Sequence, residues 1–531
     1  MNSGKNHFLL SLLAALTALG TAEAAGTSGN TVPKVVVNIL IDQLRTDYLN
    51  AFMPLYGNEG FRRLMEDGRV YSQAEYPMIK PDRASATATV ATGAPPSGHG
   101  IIAQKWMDRS TLRPMFCVDD PAYQGVGTTD GTSPRHLGVS TMGDELKVAT
   151  EGKAAVYGIA PFREAAVFSA GHAADAALWI DEQTGLWCTS NYYTPTLPTW
   201  VSTYNERFGI DKRLKATVWQ PSSELVGNFS YFLSGEQHAP FKHKFKGDDR
   251  FSSYLTSGFV NQEVVEMVKA CLRGTAVGMD AFTDYMAVTF YAGNFKHQPA
   301  DIAPIELQDI YVRLDGAVAD LISAIEHRVG HNNALFVLTS TGYADEETAD
   351  LSKYRIPSGT FDMQRATALL NMYLVALHGH GQGQFVETCI GNQIYLNHRL
   401  IEQKQLRMNH ILEQTQEFLL TLSGVKDVYT SQRLLQGAWT PGISRIRSAY
   451  NPRFSGDIMI EVTPGWRCVN ELTKENKLSR ESYISFPIIF YGAGIAPSIV
   501  ETPVSVDRIA PTISKSIRIR APNACGTAPL F

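Results

Sequence analysis

The chain has little cysteine, no dominant charge and no long apolar run beyond its start. Its six cysteines, Cys117, Cys188, Cys271, Cys389, Cys468 and Cys525, form no C-x-x-C, which removes a zinc ribbon or a dithiol redox motif from consideration. Lys and Arg number 47 against 52 Asp and Glu, a net charge of -5. That mild balance excludes a basic footprint for nucleic acid. Past the first 24 residues no stretch is long and apolar enough for a membrane span, which needs about 20 residues. Internal repeats and long low-complexity tracts are absent as well.

What is present begins with an export signal. Lys5 supplies a positive n-region, Phe8 to Leu19 an apolar h-region, and Ala22-Glu23-Ala24 a small-residue cleavage site. The run is too short to span a bilayer, and no Cys follows the cleavage site to carry a lipid. The expected organisation is a signal peptide over 1–24, a flexible leader over 25–33 and one large domain over 34–531. Removing the signal deletes one Lys and one Glu and leaves the charge unchanged. The expected destination is the periplasm or the cell exterior. There an even cysteine count permits disulfides, while buried free thiols are the other reading; the pairing cannot be read from sequence.

Apolar β-branched runs alternate with amphipathic stretches. Strands are expected at Lys34 to Ile41, Ala154 to Ile159, Asp284 to Tyr291, Ala334 to Thr339 and Pro487 to Tyr491. Their continuous apolar character suits strands buried on both faces of a parallel sheet. Helices are expected at Val260 to Leu272, Ile305 to His327, Gln364 to Leu377 and Gln405 to Leu422. This alternation predicts an α/β sandwich with a mostly parallel central sheet. Two regions interrupt it and read as inserted subdomains: an aromatic, turn-rich cap at about 185–250, and about 345–482, which has its own helix-strand pattern. The cap aromatics Trp187, Tyr192, Tyr193, Trp200, Tyr231 and Phe232 are either a contact surface for a protein partner or the cap's own small core.

Asp42 closes the first apolar strand, where chemistry collects in such sheets. Around and after it come DQLRTDYL, ATGAPPSGHGI, SAGHAADAALWIDEQTG, TSNYY, ELQDIYVRLD, RIPSGTF, IYLN, NPRFSGD, FPIIFYGAGI and DRIAPTIS. In this order the segments resemble the alkaline phosphatase superfamily, in particular exported PafA-like phosphatases and nucleotide pyrophosphatase/phosphodiesterases. The resemblance implies a three-layer sandwich and, in active members, two zinc ions held by three Asp and three His. A Thr or Ser nucleophile at a helix start, an Asn and a Lys-x-Arg pair complete that site, and paired metals stabilise an in-line phosphoryl displacement.

Carried over position by position, the resemblance leaves most of that site substituted. Asp42 matches the first metal ligand. Arg83 falls at the nucleophile, Gln104 at the Asn, and Phe162 and Glu164 at the Lys and Arg. Gly293-x-x-x-His297 replaces Asp-x-x-x-His, and Thr341 and Gly342 replace the Asp-His of the next motif. Ser485 stands at the last His. Of six metal ligands only Asp42 and His297 survive.

A guanidinium cannot act as a nucleophile, but it can replace a metal as counter-charge. An Asp42–Arg83 ion pair is therefore expected, because an unpaired buried carboxylate would cost several kcal/mol. Ser85 and Thr87 are read as helix-start hydroxyls or, alternatively, a displaced nucleophile. His172 is read as structural. His378 and His380 sit in a Gly-rich loop, and Glu346 and Glu347 in an acidic one. Glu164 places a negative charge where the family binds phosphate.

Three functions follow as expectations. The first is an exported, catalytically degenerate family member acting in binding or assembly, with no cofactor, no nucleic acid and no membrane span. The second is a phosphoric-ester hydrolase with a rebuilt site, which would need zinc. The third is a small-ligand binding protein using the old pocket, with Arg83 and Gln104 as contacts.

Overall fold

The computed structural model describes residues 32–226, 240–345, 357–438, 440–480 and 484–531. The signal sequence, most of the leader, Tyr231, Phe232, Glu346 and Glu347 lie outside the described residues. Among the described residues no helix is long and apolar enough to cross a membrane.

Seven strands of one large sheet position the site. They are β1 (Val35–Asp42), β2 (Val156–Ile159), β3 (Ala176–Ile180), β4 (Trp187–Ser190), β5 (Asp284–Tyr291), β6 (Ala334–Ser340) and β7 (Phe486–Gly492). Their spatial order is β7-β6-β1-β5-β2-β3-β4. The run from β6 to β3 is parallel throughout, and the antiparallel neighbours are β7 and β4. β1 and β5 are buried along their whole length. This is why they read as unbroken apolar runs.

Side chains of β1 alternate between two cores. Val35, Val37, Ile39 and Ile41 pack into one cluster, shared with Val264 and Ile310 of the covering helices. Val36 and Leu40 pack into the other, with Ile509 and Ile513. The sheet is thus the middle layer of an α/β/α sandwich.

The helices follow the expected apolar spacing. The stretches centred on Val260 to Leu272, Ile305 to His327 and Gln364 to Leu377 are helices Val260–Gly274, Pro304–Val329 and Met363–His378. The last expected helix starts later, as Met408–Leu420, because Gln405 holds a left-handed backbone at φ 56° that a helix cannot include.

The aromatic stretch expected to be wholly inserted begins inside the main sheet, since β4 pairs with β3. Its aromatic side chains turn inward. Trp187 Nε1 donates to Glu263 at 3.0 Å, Tyr192 Oη to the His172 carbonyl at 3.1 Å and Tyr193 Oη to the Gly171 carbonyl at 3.0 Å. Trp200 meets Tyr157 edge-on. Trp187 is buried, and Tyr192, Tyr193 and Trp200 are half-buried. The later insertion builds a four-stranded antiparallel sheet and a three-stranded one. Its core includes Leu370, Leu374, Ile411, Leu419, Val428 and Ile460. All six cysteines are free thiols, four of them buried.

Candidate functional site

Parallel strands bring Asp42, Tyr291 and Thr341 to one end of the sheet. Asp42 is in register with Tyr291, and Ile41 with Ser340, so the loops after β5 and β6 flank Asp42. Facing them is the helix α1 (Arg83–Thr92), buried over its entire length. Asp82 caps it: its carboxylate accepts from Ser85 N at 2.9 Å, and Ser85 Oγ accepts from Asp82 N at 3.0 Å. This reciprocal cap fixes the chain direction and sets Arg83 in the first turn. Ala84, Ala86 and Ala88 allow close approach to the neighbouring layers. A second helix, α2 (Arg163–Ala170), carries Glu164 in its own first turn, where the helix dipole favours a negative charge.

Arg83 joins these elements. Its Nε donates to Asp42 Oδ2 at 2.8 Å and its Nη1 to Glu164 Oε1 at 3.0 Å. Gln104 Nε2 donates to the same Glu164 oxygen at 2.6 Å. Thr341 Oγ1 donates to Asp42 Oδ1 at 3.0 Å. The Phe162 ring lies under the guanidinium, 3.4 Å from its carbon. Burial alone would lower the Arg83 pKa, but Asp42 and Glu164 outweigh it and hold the pKa well above its ordinary value. The charge is therefore permanent.

The expected Asp42–Arg83 pair is present, with Glu164 as a second anion that sequence reasoning had read only as a phosphate repellent. Arg83 and Gln104, expected as ligand contacts, each donate to these internal carboxylates. Two carboxylates thus share one guanidinium.

The former metal-ligand positions are filled by packing. A Cβ at Gly293 would sit 2.6 Å from Tyr291 Oη and 2.8 Å from Gln43 Cδ, so no aspartate fits there as the neighbours stand. Gly342 holds φ 70°, and a Cβ there would meet the Tyr76 ring at 2.6 Å. Ser485 is exposed, and its carbonyl accepts from Thr46 N at 2.8 Å. His297 turns to Asp345, with Nδ1 3.1 Å from both carboxylate oxygens. This hydrogen bond raises the His297 pKa against the opposing effect of burial.

The donor set does not fit a pair of zinc ions, each of which takes about four N, O or S ligands. Asp42 has both oxygens engaged, and a fixed cation stands beside it. Among the described residues no three His, Cys, Asp or Glu side chains converge to hold a metal.

The other candidates resolve locally. Ser85 Oγ is tied to Asp82, and Thr87 Oγ1 donates to the Arg83 carbonyl at 2.7 Å, so neither is poised as a nucleophile. His172 bridges Asp144 and the Leu137 carbonyl, a structural role. His378 contacts Gln414, and His380 is exposed. Sequence reading missed Asp345, which receives Asn294 N and holds His297 while its own N–H reaches Gln43. It also missed Tyr343, packed against Asp42 and Arg83, whose phenol burial pushes well above its ordinary pKa. The acidic run after Tyr343 was the available signal for Asp345.

Comparison with known proteins agrees with this architecture. The family model for type I phosphodiesterase / nucleotide pyrophosphatase matches residues 36–483. Alkaline phosphatase PafA of Elizabethkingia meningoseptica is 27% identical over 539 residues, covering 98% of each chain. Alkaline phosphatase PhoV of Synechococcus elongatus is 26% identical, covering 92% of this chain and 91% of its own. The crystal structure of wild-type PafA matches with a TM-score of 0.82 at 26% identity, covering 94% of this chain and 98% of that one. With its mostly parallel sheet and this extent of similarity, the chain belongs to the type I phosphodiesterase / nucleotide pyrophosphatase family of the alkaline phosphatase superfamily.

Proposed function

We propose that this chain is a catalytically degenerate member of its phosphoesterase family, exported by its N-terminal signal and acting in binding or assembly. The observation that carries the reading is the buried Asp42–Arg83–Glu164 cluster. It puts a cation where the family places its nucleophile and a carboxylate where the family binds phosphate. The reading is supported by how the candidate groups beside the cluster are engaged. Arg83 only donates, Thr341 is bonded to Asp42, and Ser85 and Thr87 are held by their own helix. The alternative of ligand binding in the old pocket loses support because both proposed contacts already serve Glu164.

The test is hydrolysis of an aryl phosphate monoester and diester by the purified mature chain in the presence of zinc. The expected result is no turnover above the level of an Asp42→Ala variant. Zinc-dependent turnover that Asp42→Ala abolishes would establish a rebuilt hydrolase instead.

A further inference from the structure

A second polar concavity lies away from Asp42 and Arg83. It forms where the core hairpin of strands Lys105–Asp108 and Arg113–Phe116 meets the Gly-rich loop at 379–384 and the short helix His398–Gln403 of the later insertion. Its volume is about 650 Å³. That falls within the range of roughly 300–1,000 Å³ typical of small-molecule sites.

Its wall is built from behind. Asp457, 6% exposed, accepts from Leu396 N at 2.8 Å, His398 Nε2 at 2.7 Å and Arg109 Nη2 at 3.3 Å. Arg109 also donates to the Ser455 carbonyl at 3.1 Å and lies over the Tyr395 ring. These bonds neutralise Arg109 and orient the His398 ring, and among the described residues Nδ1 makes no hydrogen bond. Asn397 uses Oδ1 to cap Leu400 N at 2.9 Å, which leaves its amide donor. Arg399, Glu387, Gln382 and Gln403 also line the cavity, and among the described residues their side chains make no hydrogen bond or ion pair. The apolar part is aliphatic, with Leu400 buried and Leu112 52% exposed.

The charges of Arg109 and Arg399 against Asp457 and Glu387 cancel, so the cavity does not select for net charge. What it offers is a mixture: a guanidinium and three amides that donate, and a carboxylate, an imidazole nitrogen and the amide oxygens that accept. A hydroxyl group, which donates and accepts at once, is the complement of such a mixture. We propose that this cavity binds a neutral saccharide, with its hydroxyls on Arg399, Gln403 and Glu387 and a C–H face on Leu112 and Leu400. No catalytic step is involved, and the proposal is independent of whether the Asp42 site hydrolyses anything.

Thermal melting and calorimetric titration of the whole chain with maltose, lactose and diacetylchitobiose, and with inorganic phosphate for comparison, test it. At least one saccharide is expected to raise the melting temperature in a dose-dependent way. Arg399→Ala and Gln403→Ala, each melting like the wild type without ligand, should weaken that affinity by about tenfold. No shift with any of the three saccharides would overturn the proposal. So would a saccharide shift that survives both substitutions, or a response confined to phosphate that Arg399→Ala removes.

Discussion

Two regions of this molecule bury carboxylates beside the same sheet and neutralise them differently. On the covering helices, Glu263 accepts from Trp187 Nε1 and Tyr204 Oη, each at 3.0 Å, and from Arg213. Asp309 accepts from Trp219 Nε1 at 2.5 Å, Ser222 N at 2.6 Å and Arg313 Nε at 2.6 Å. Each has neutral donors and its own arginine at the rim. At the sheet centre, Asp42 and Glu164 share Arg83, whose side chain is 9% exposed. The first arrangement is a buried anion satisfied by neutral donors and a partly exposed arginine. The second is an ion cluster in a position where the family's metals would supply the positive charge. A buried cluster of this kind contributes little net stability while whole, yet is costly to break.

The comparison breaks most sharply at Arg83. Arg83→Met leaves two buried carboxylates without their cation and should destabilise the chain by about 3–5 kcal/mol, read from urea unfolding. Arg213→Met is the matched change at Glu263. Arg213 is 44% exposed, and two neutral donors remain, so a loss of about 1 kcal/mol is expected. Equal losses at the two positions would remove the distinction.

The smallest effect is expected at His297, whose side chain is 52% exposed. Its pKa is raised above 6.5 by the hydrogen bond to Asp345. A raised histidine pKa stabilises the fold fully below the unfolded value of about 6.5, and the gain is lost as pH rises through the higher folded value. His297→Gln should therefore lower the unfolding midpoint below that window and match the wild type well above it. A difference that persists at high pH would show that His297 acts by packing instead.

Much of this was legible in the chain. Unbroken apolar strands announced a sheet covered on both faces, because a parallel strand between helices has no solvent side. Asp42 and Arg83 were readable as a pair because flanking segments fixed the register of each, and charge balance then left few options. Glu164 was legible as a residue but not as a partner. Nothing local links it to Arg83, 81 positions away, and only the approach of α1 to α2 joins them. Asp345 was hidden among neighbouring acids, since a loop pattern does not say which carboxylate turns inward. The short strand β4 was assigned to the insertion because four residues carry too little periodicity to identify a strand.

The central claim is that Arg83 and its two carboxylates stand in place of the family's metals. Zinc stoichiometry of the purified mature chain, by elemental analysis and calorimetric titration, tests it most directly. The account predicts no zinc retained and no specific uptake, in the wild type and in Asp42→Ala alike. One or two zinc ions per chain, lost on Asp42→Ala, would contradict it.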